Sequence, residues 1–452
     1  MGNKGMIQVF RLTIPLFVEL VLKTLIGSVN TLMLSRISDS AAASVAVSNQ
    51  ILNVILAFST MFASGSMIIT SQAIGSANKK EEKEVTILGA IFSLSIGAVW
   101  SFITLFFSEQ LVRIVGLENV LVADAAQYLR IIGGTSVIQF MSAYCSVHLR
   151  CRGRAYLPML STIGINILNI IGSFLVVSTS LAAIGVVGIS IVRVISECFG
   201  LFILVIPLFN YPYKSLKFKQ LNLKRYMGKL VKISVSFGVE GLSYMIAKLV
   251  TVAFITTLPI TVLSAKTYAQ TISSYNYLLG AAVAQASQIV AGHMIGAKSY
   301  KESELLIKRV AGIILGCNLF FSVMFLLLYK KLLGIFTSSD EVIYIAHQVM
   351  LIDVFIAIGR SQGHAYGHAL KAAGYVIKPM IIAILGIWGL SVGAGFVLTV
   401  VCKLGIIGIW MAEMIDEWIR AGLLYFLWIR RKWITEKQNF CERRQDNETS
   451  IQ

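Results

Sequence analysis

Charge is scarce in this sequence: only 13% of its 452 residues are Asp, Glu, Lys or Arg, while 56% are hydrophobic. That is about half the charge of an ordinary soluble domain, and with a mean hydropathy of +0.78 it assigns the chain to a bilayer. Metal-ligand spacing is lacking as well. The six cysteines, at 145, 151, 198, 317, 402 and 441, sit mostly within or at the ends of apolar runs and read as reduced packing residues. Also missing are the common catalytic signatures. There is no H-E-x-x-H, no G-x-S-x-G, no Walker A and no G-x-G-x-x-G opening a helix, so an enzyme is not expected. The formal net charge of +17 would suit nucleic acid, but the basic residues fall in the gaps between apolar runs. That is the distribution of the positive-inside rule.

What is present is a repeat. The stretch from Ser71 to Glu82, SQAIGSANKKEE, returns as GHMIGAKSYKES from Gly292 to Ser303, an offset of 221 residues (75 to 296). The same offset pairs Glu19 with Glu240, Gly153 with Gly374 and Pro158 with Pro379; one residue less pairs Gly185 and Gly188 with Gly405 and Gly408, and Glu197 with Glu417. Matched Gly, Pro and Glu over a whole half exceed what two apolar sequences share through composition.

A bilayer core takes roughly 20 apolar residues per helix. Runs of that kind lie near 10–34, 44–74, 85–107, 121–147, 158–178 and 183–207, then near 230–257, 264–295, 306–329, 341–369, 378–401 and 404–429. Twelve transmembrane helices in two six-helix lobes are therefore expected, an all-α integral membrane fold with lobes at 1–207 and 230–429. Glu19 and Lys23 interrupt the first run and no small-x-small cleavage site follows, so it reads as a retained span rather than a signal peptide. Alternate gaps carry Lys and Arg, at Lys79 to Lys83, Arg150 to Arg154, Lys214 to Lys232, Lys298 to Arg309, Lys371 to Lys378 and Arg430 to Lys437. These gaps, and both termini, are placed on the cytoplasmic side. Six spans per half make the repeats parallel, facing each other across a cleft. The basic stretch 208–229 is the lobe connector, suited to anionic headgroups, and 430–452 forms a tail that is short and polar from Gln438. Asn447-Glu448-Thr449 is a glycosylation sequon on the cytoplasmic side and carries no weight.

An ionisable side chain inside a span costs several kcal/mol unless paired or hydrated, so each is a functional candidate. Glu19 and Lys23 stand four apart and can meet on one helix face, as a structural ion pair or a coupling site. Glu240 has Tyr244 one turn on and no lysine at the position equivalent to Lys23, which makes it the less locally neutralised acid. Asp353 and Arg360 share a face, followed by His364, Tyr366 and His368. The two histidines have the i, i+4 spacing of a zinc pair but neither a third ligand nor an intervening Glu, so hydrogen bonding within the bundle is expected of them. Asp416, Glu417 and Arg420, echoed by Glu197, read as a structural network.

Taken in order, Pro15-x-x-x-Glu19, Asn30-Thr-Leu-Met-Leu-Ser-Arg36, Asn49-Gln50-Ile51, Gln72-Ala-Ile-Gly75 and Ile295-Gly296-Ala297 resemble the multidrug and toxic compound extrusion family, MATE. That family sits in a larger group with the lipid-linked oligosaccharide flippases. Asp416-Glu-Trp-Ile-Arg420 and Arg431-Lys-Trp433 resemble a Gram-positive bacterial subgroup. The resemblance covers nearly the whole chain and implies a multi-pass protein of the bacterial plasma membrane that exports organic cations or drugs against protons or sodium. No cofactor beyond the coupling ion, no metal and no nucleic acid is implied, and a monomer is expected. Many members carry Asp where this chain has Asn30, proton-coupled ones carry Asp where it has Ser173 after Asn169, and sodium-coupled ones carry an acid near Arg360. The choice between proton and sodium stays open.

The expectation is a secondary active exporter, with a flippase for a lipid-linked oligosaccharide or cell-wall precursor as the alternative. Glu240, Asp353 and Glu19 are the expected ion-coupling residues, Glu240 foremost if Arg360 reaches it. Asn30, Asn169, Tyr244, Tyr275, Asn276 and Arg360 are the expected substrate contacts. An acid-dominated cleft with aromatics such as Tyr244, Tyr275 and Tyr277 favours cations, whereas a ring of arginines favours the flippase.

Overall fold

In lipid the backbone has no water to bond, so an apolar run satisfies its own N–H and C=O groups by coiling. The computed structural model describes residues 2–35, 39–116, 119–179, 185–209, 224–256 and 259–434, and among them the chain is helical with no strand. The first half holds α1 (Gly2–Ser35), α2 (Asp39–Gly75), α3 (Lys79–Ile114), α4 (Asn119–Gly134), α5 (Ser136–Cys151), α6 (Tyr156–Ser178) and α7 (Gly185–Phe209). The second holds α8 (Lys224–Ile255), α9 (Ile260–Gly296), α10 (Tyr300–Leu327), the short α11 (Tyr329–Leu333), α12 (Asp340–Ala372), α13 (Ile377–Leu385) and α14 (Ile406–Ile429). From Leu385 the chain continues α13 as π-helix over Gly386–Ala394 and Val397–Val401. Residues 210–223 of the basic connector and the tail beyond 434 lie outside the described residues.

Ten of the described helical segments are long and apolar enough to cross a membrane. Two further crossings lack such a window for identifiable reasons. The run at 121–147, expected as one helix, breaks at Thr135 after Gly133 and Gly134 into α4 and α5 of 16 residues each. α14 carries Glu413, Asp416, Glu417 and Arg420 within its length. With these two the fold has the twelve crossings expected. Large apolar side chains such as Phe102, Phe106, Phe174, Phe202 and Leu249 are exposed, as lipid-facing residues are, since hydrocarbon rather than water covers them.

The chain forms two compact units, Ile14–Gly238 and a second that joins the start of α1, through Thr13, to the chain from Val239 onward. The first is built around Ile55, Tyr128, Leu129, Ile132 and Phe140. The second is built around Ile255, Ile272, Leu333, Val349, Ile356 and Trp410, with α12 packed against α9, α10 and α14.

The sequence repeat is also a backbone repeat. α2 and α9 both run 37 residues and end in the same turn: Ser76 N donates to Gln72 O at 3.0 Å and Ala297 N to His293 O at 2.9 Å. Ala77 and Lys298 then take the left-handed conformation, with φ of 55° and 60°. Gly153 and Gly374 turn at φ of 74° and 81°, where a Cβ would be strained. Helix starts follow the macrodipole. Asn78 caps α3 by accepting from Glu81 N at 3.2 Å, and acids fill the first turns of α3 and α12.

Candidate functional site

α14 repeats its polar residues at helical steps: Glu413, Asp416, Glu417 and Arg420 fall on one face together with Trp410. Arg360 of α12 reaches this face. Its Nη2 lies 2.5 Å from Glu413 Oε1 and its Nε 2.8 Å from Glu417 Oε1, while its guanidinium covers the Tyr277 ring at 4.3 Å from the centroid. Arg420 lies 2.9 Å from Glu417 and 3.2 Å from Asp416. The π-helical stretch completes the arrangement, because Ser391 donates to Asp416 Oδ2 at 2.9 Å. Gly386 leaves room there, since a Cβ at that position would collide with Asp416 Oδ1. π-turns recur at functional sites, and here the wider turn brings Ile387 and Ser391 to the same space as the α14 face.

That space is a cavity of about 150 Å³ lined wholly by the second unit. α8 contributes Tyr244, Lys248 and Thr251, each about a turn after the last, and α9 contributes Lys266 and Gln270. Ile387, Val392 and Trp410 give it apolar walls. A second cavity of about 180 Å³ shares Glu417 and Arg420 with it and is lined by Glu240, His364, His368 and Lys371. In it Lys371 Nζ lies 2.7 Å from Glu240 Oε1. His368 Nδ1 is 2.6 Å from Gln288 Oε1, the bundle hydrogen bond expected of that pair.

Two expectations about Glu240 are thereby corrected. It is not the less neutralised acid, and Arg360 does not reach it. The cation comes from the end of α12 instead, where Lys371 lies in the last turn and extends its long stem back along the helix to the carboxylate. The first unit holds the equivalent pair. Glu19, buried, has Arg150 at 2.5 Å and Lys23 at 2.7 Å. Arg150 precedes Lys371 by 221 residues, so the offset that matches the two glutamates matches their partners too.

The other expected residues are scattered. Asp353 is buried and accepts from Tyr277 Oη at 2.9 Å. Asn276 is buried and donates to Ser322 Oγ at 2.5 Å, on α10, and does not line the cavity; neither does half-exposed Tyr275. Asn169 and Ser173, one turn apart in α6, are fully buried with no hydrogen-bond partner among the described residues. Asn30 falls in α1, outside the described side chains. Glu413, Lys248 and Lys266 were not anticipated. Glu413 corresponds, 220 residues on, to Arg193, a residue of opposite sign that lies 3.3 Å from Glu197 and bonds Asn49 and Tyr128. The face of α14 was the signal that could have found it.

A family model described as MatE matches residues 15–175 and again 237–397. The chain belongs to the MATE family. Among its relatives, the uncharacterized transporter YisQ of Bacillus subtilis (strain 168) is 32% identical over 433 residues, 94% of this chain and 95% of that one. The probable multidrug resistance protein NorM of Thermotoga maritima is 24% identical over 449 residues, 94% of this chain and 92% of that one. A solved multidrug resistance MATE transporter in an outward-facing conformation superposes with a TM-score of 0.85 over 95% of this chain and 96% of that one, at 19% identity. As a MATE protein the chain is a membrane transporter of the multidrug efflux type, and its relatives include Bacillus proteins.

Proposed function

We propose that this MATE protein is a secondary active exporter, an antiporter of the plasma membrane that expels amphipathic organic cations against protons or sodium and performs no covalent chemistry. The cavity of the second unit supports the reading. Tyr244 and Trp410 supply ring faces for a cation, and Glu413 keeps Oε2 and Asp416 Oδ1 outside the ion pairs named above. Ligand and coupling ion compete through the adjoining polar cavity. An ion that neutralises Glu240 releases Lys371, and the freed ammonium alters the field at the shared Glu417 and Arg420. Asp353, held by Tyr277 beneath Arg360, lies behind the same network. An ion moving inward through roughly 150 mV yields about 3.5 kcal/mol, enough for a concentration ratio of a few hundred-fold.

The test is transport in proteoliposomes with an imposed proton or sodium gradient. Glu240→Gln is expected to abolish gradient-driven export while the purified protein still binds substrate, because the cavity itself keeps its lining. Lys371→Met in the same background restores the charge balance and fold without restoring transport. Export at the wild-type rate by Glu240→Gln would remove this carboxylate from the mechanism.

A further inference from the structure

The carboxylates around the second unit's cavity are already engaged, and the lysines are not. Glu413 and Glu417 are bridged by Arg360, Glu417 and Asp416 are held by Arg420, and Asp416 also takes the hydroxyl of Ser391. Lys248 and Lys266 line the same cavity, and neither ammonium is in an ion pair among the described residues. Lys248 lies over the Tyr244 ring, 4.7 Å from its centroid, and Lys266, half-buried, is near enough to feel the charges of both Lys248 and Glu413. Lys248, Lys266, Arg420 and Arg360 thus stand against Glu413, Asp416 and Glu417, an excess of one positive charge. An unpaired ammonium in a membrane protein's interior is costly, and two in one cavity repel each other as well. A ligand that delivers one negative charge removes both penalties.

We infer that the cavity takes a zwitterionic amphipath, whose carboxylate or comparable monoanion sits between Lys248 and Lys266 while its cationic end faces Glu413 and the rings of Tyr244 and Trp410. The inference rests on reading this cavity as the substrate site and narrows the ligand class. Gln270, one turn from Lys266, and Thr251, nearly one turn from Lys248, add neutral polar groups beside the anion. A plain organic cation meets the two lysines with like charge, so a cation without an acid group binds less well than its zwitterionic counterpart.

The experiment is calorimetric titration of the purified full-length protein with three matched probes: 2-naphthylalanine, its methyl ester, which keeps the ammonium and loses the carboxylate, and its N-acetyl derivative, which does the reverse. The wild type is expected to bind the parent about tenfold or more tightly than the ester, the scale of one hydrogen bond to a charged group. Lys266→Gln and Lys248→Gln each weaken the parent and the N-acetyl probe by about tenfold and leave the ester unchanged or tighter; Lys266→Arg, which keeps the charge, retains binding and guards against a fold defect. Ester binding as tight as the parent's, or a Lys248→Gln, Lys266→Gln double variant that binds the parent as the wild type does, overturns the inference. If the probes rank as expected but no gradient drives export from proteoliposomes, the exporter reading fails and the ligand assignment stands.

Discussion

Glu19 shows what a single buried charge demands. With Arg150 and Lys23 both within hydrogen-bonding distance, its carboxylate is the counter-ion that allows a guanidinium to remain inside the helix bundle. Removing one partner of a buried pair strands the other, at a cost of roughly 3 to 5 kcal/mol. Glu19→Gln is therefore expected to lower the midpoint of thermal unfolding in detergent sharply, and Glu19→Gln with Arg150→Met to recover much of the loss. Equal destabilisation by the single and double variants would mean that the carboxylate acts through some other contact. The residue was legible from the sequence as half of a pair with Lys23, four positions on. Its stronger partner was not, because Arg150 was counted among the loop charges that set topology. The same oversight hid Lys371 beside Glu240. Both cations stand at the ends of their helices in sequence, and only their long side chains carry the charge inward.

At the scale of elements, the π-helical continuation of α13 shapes the site most. A regular α-helix over the same residues would rotate Ser391 away from Asp416 and close the space that Gly386 leaves open. Gly386→Ala pushes a methyl group toward Asp416 Oδ1, so it is expected to weaken substrate binding about tenfold while thermal stability changes by no more than about 1 kcal/mol, the scale of a Gly-to-Ala change in a helix. Isothermal titration and a melting curve on the same sample check both halves. No apolar-run count could foresee the π-turns, since hydropathy reports length and not winding. The break at Thr135 escaped for the same reason. Polar faces are more readable. Glu413, Asp416, Glu417 and Arg420 mark one side of α14 by spacing alone, yet Glu413 was passed over because its repeat partner is Arg193, and a search for matched residues discards a position where the sign has changed.

For the whole molecule, the repeat and the alternation of charged gaps carried nearly all of the expected architecture. The matched turns at Ala77 and Lys298, and at Gly153 and Gly374, express that repeat in the backbone. Orientation follows from the charge asymmetry and is open to direct measurement: single cysteines at Lys80 and Lys301 are expected to resist an impermeant thiol reagent in intact cells, and one at Ser338 to react. Labelling of the first two from outside would reverse the assigned sidedness. The ion pairs Glu19 to Arg150 and Glu240 to Lys371 each span 131 positions of their own half. A contact contained within each half and present in both is older than the fusion that joined them. The six-helix ancestor already carried its internal counter-ion, and the later divergence that turned Gln139 into Arg360's position and Arg193 into Glu413's was free to give one half a ligand cavity because the charge holding each half together was already in place.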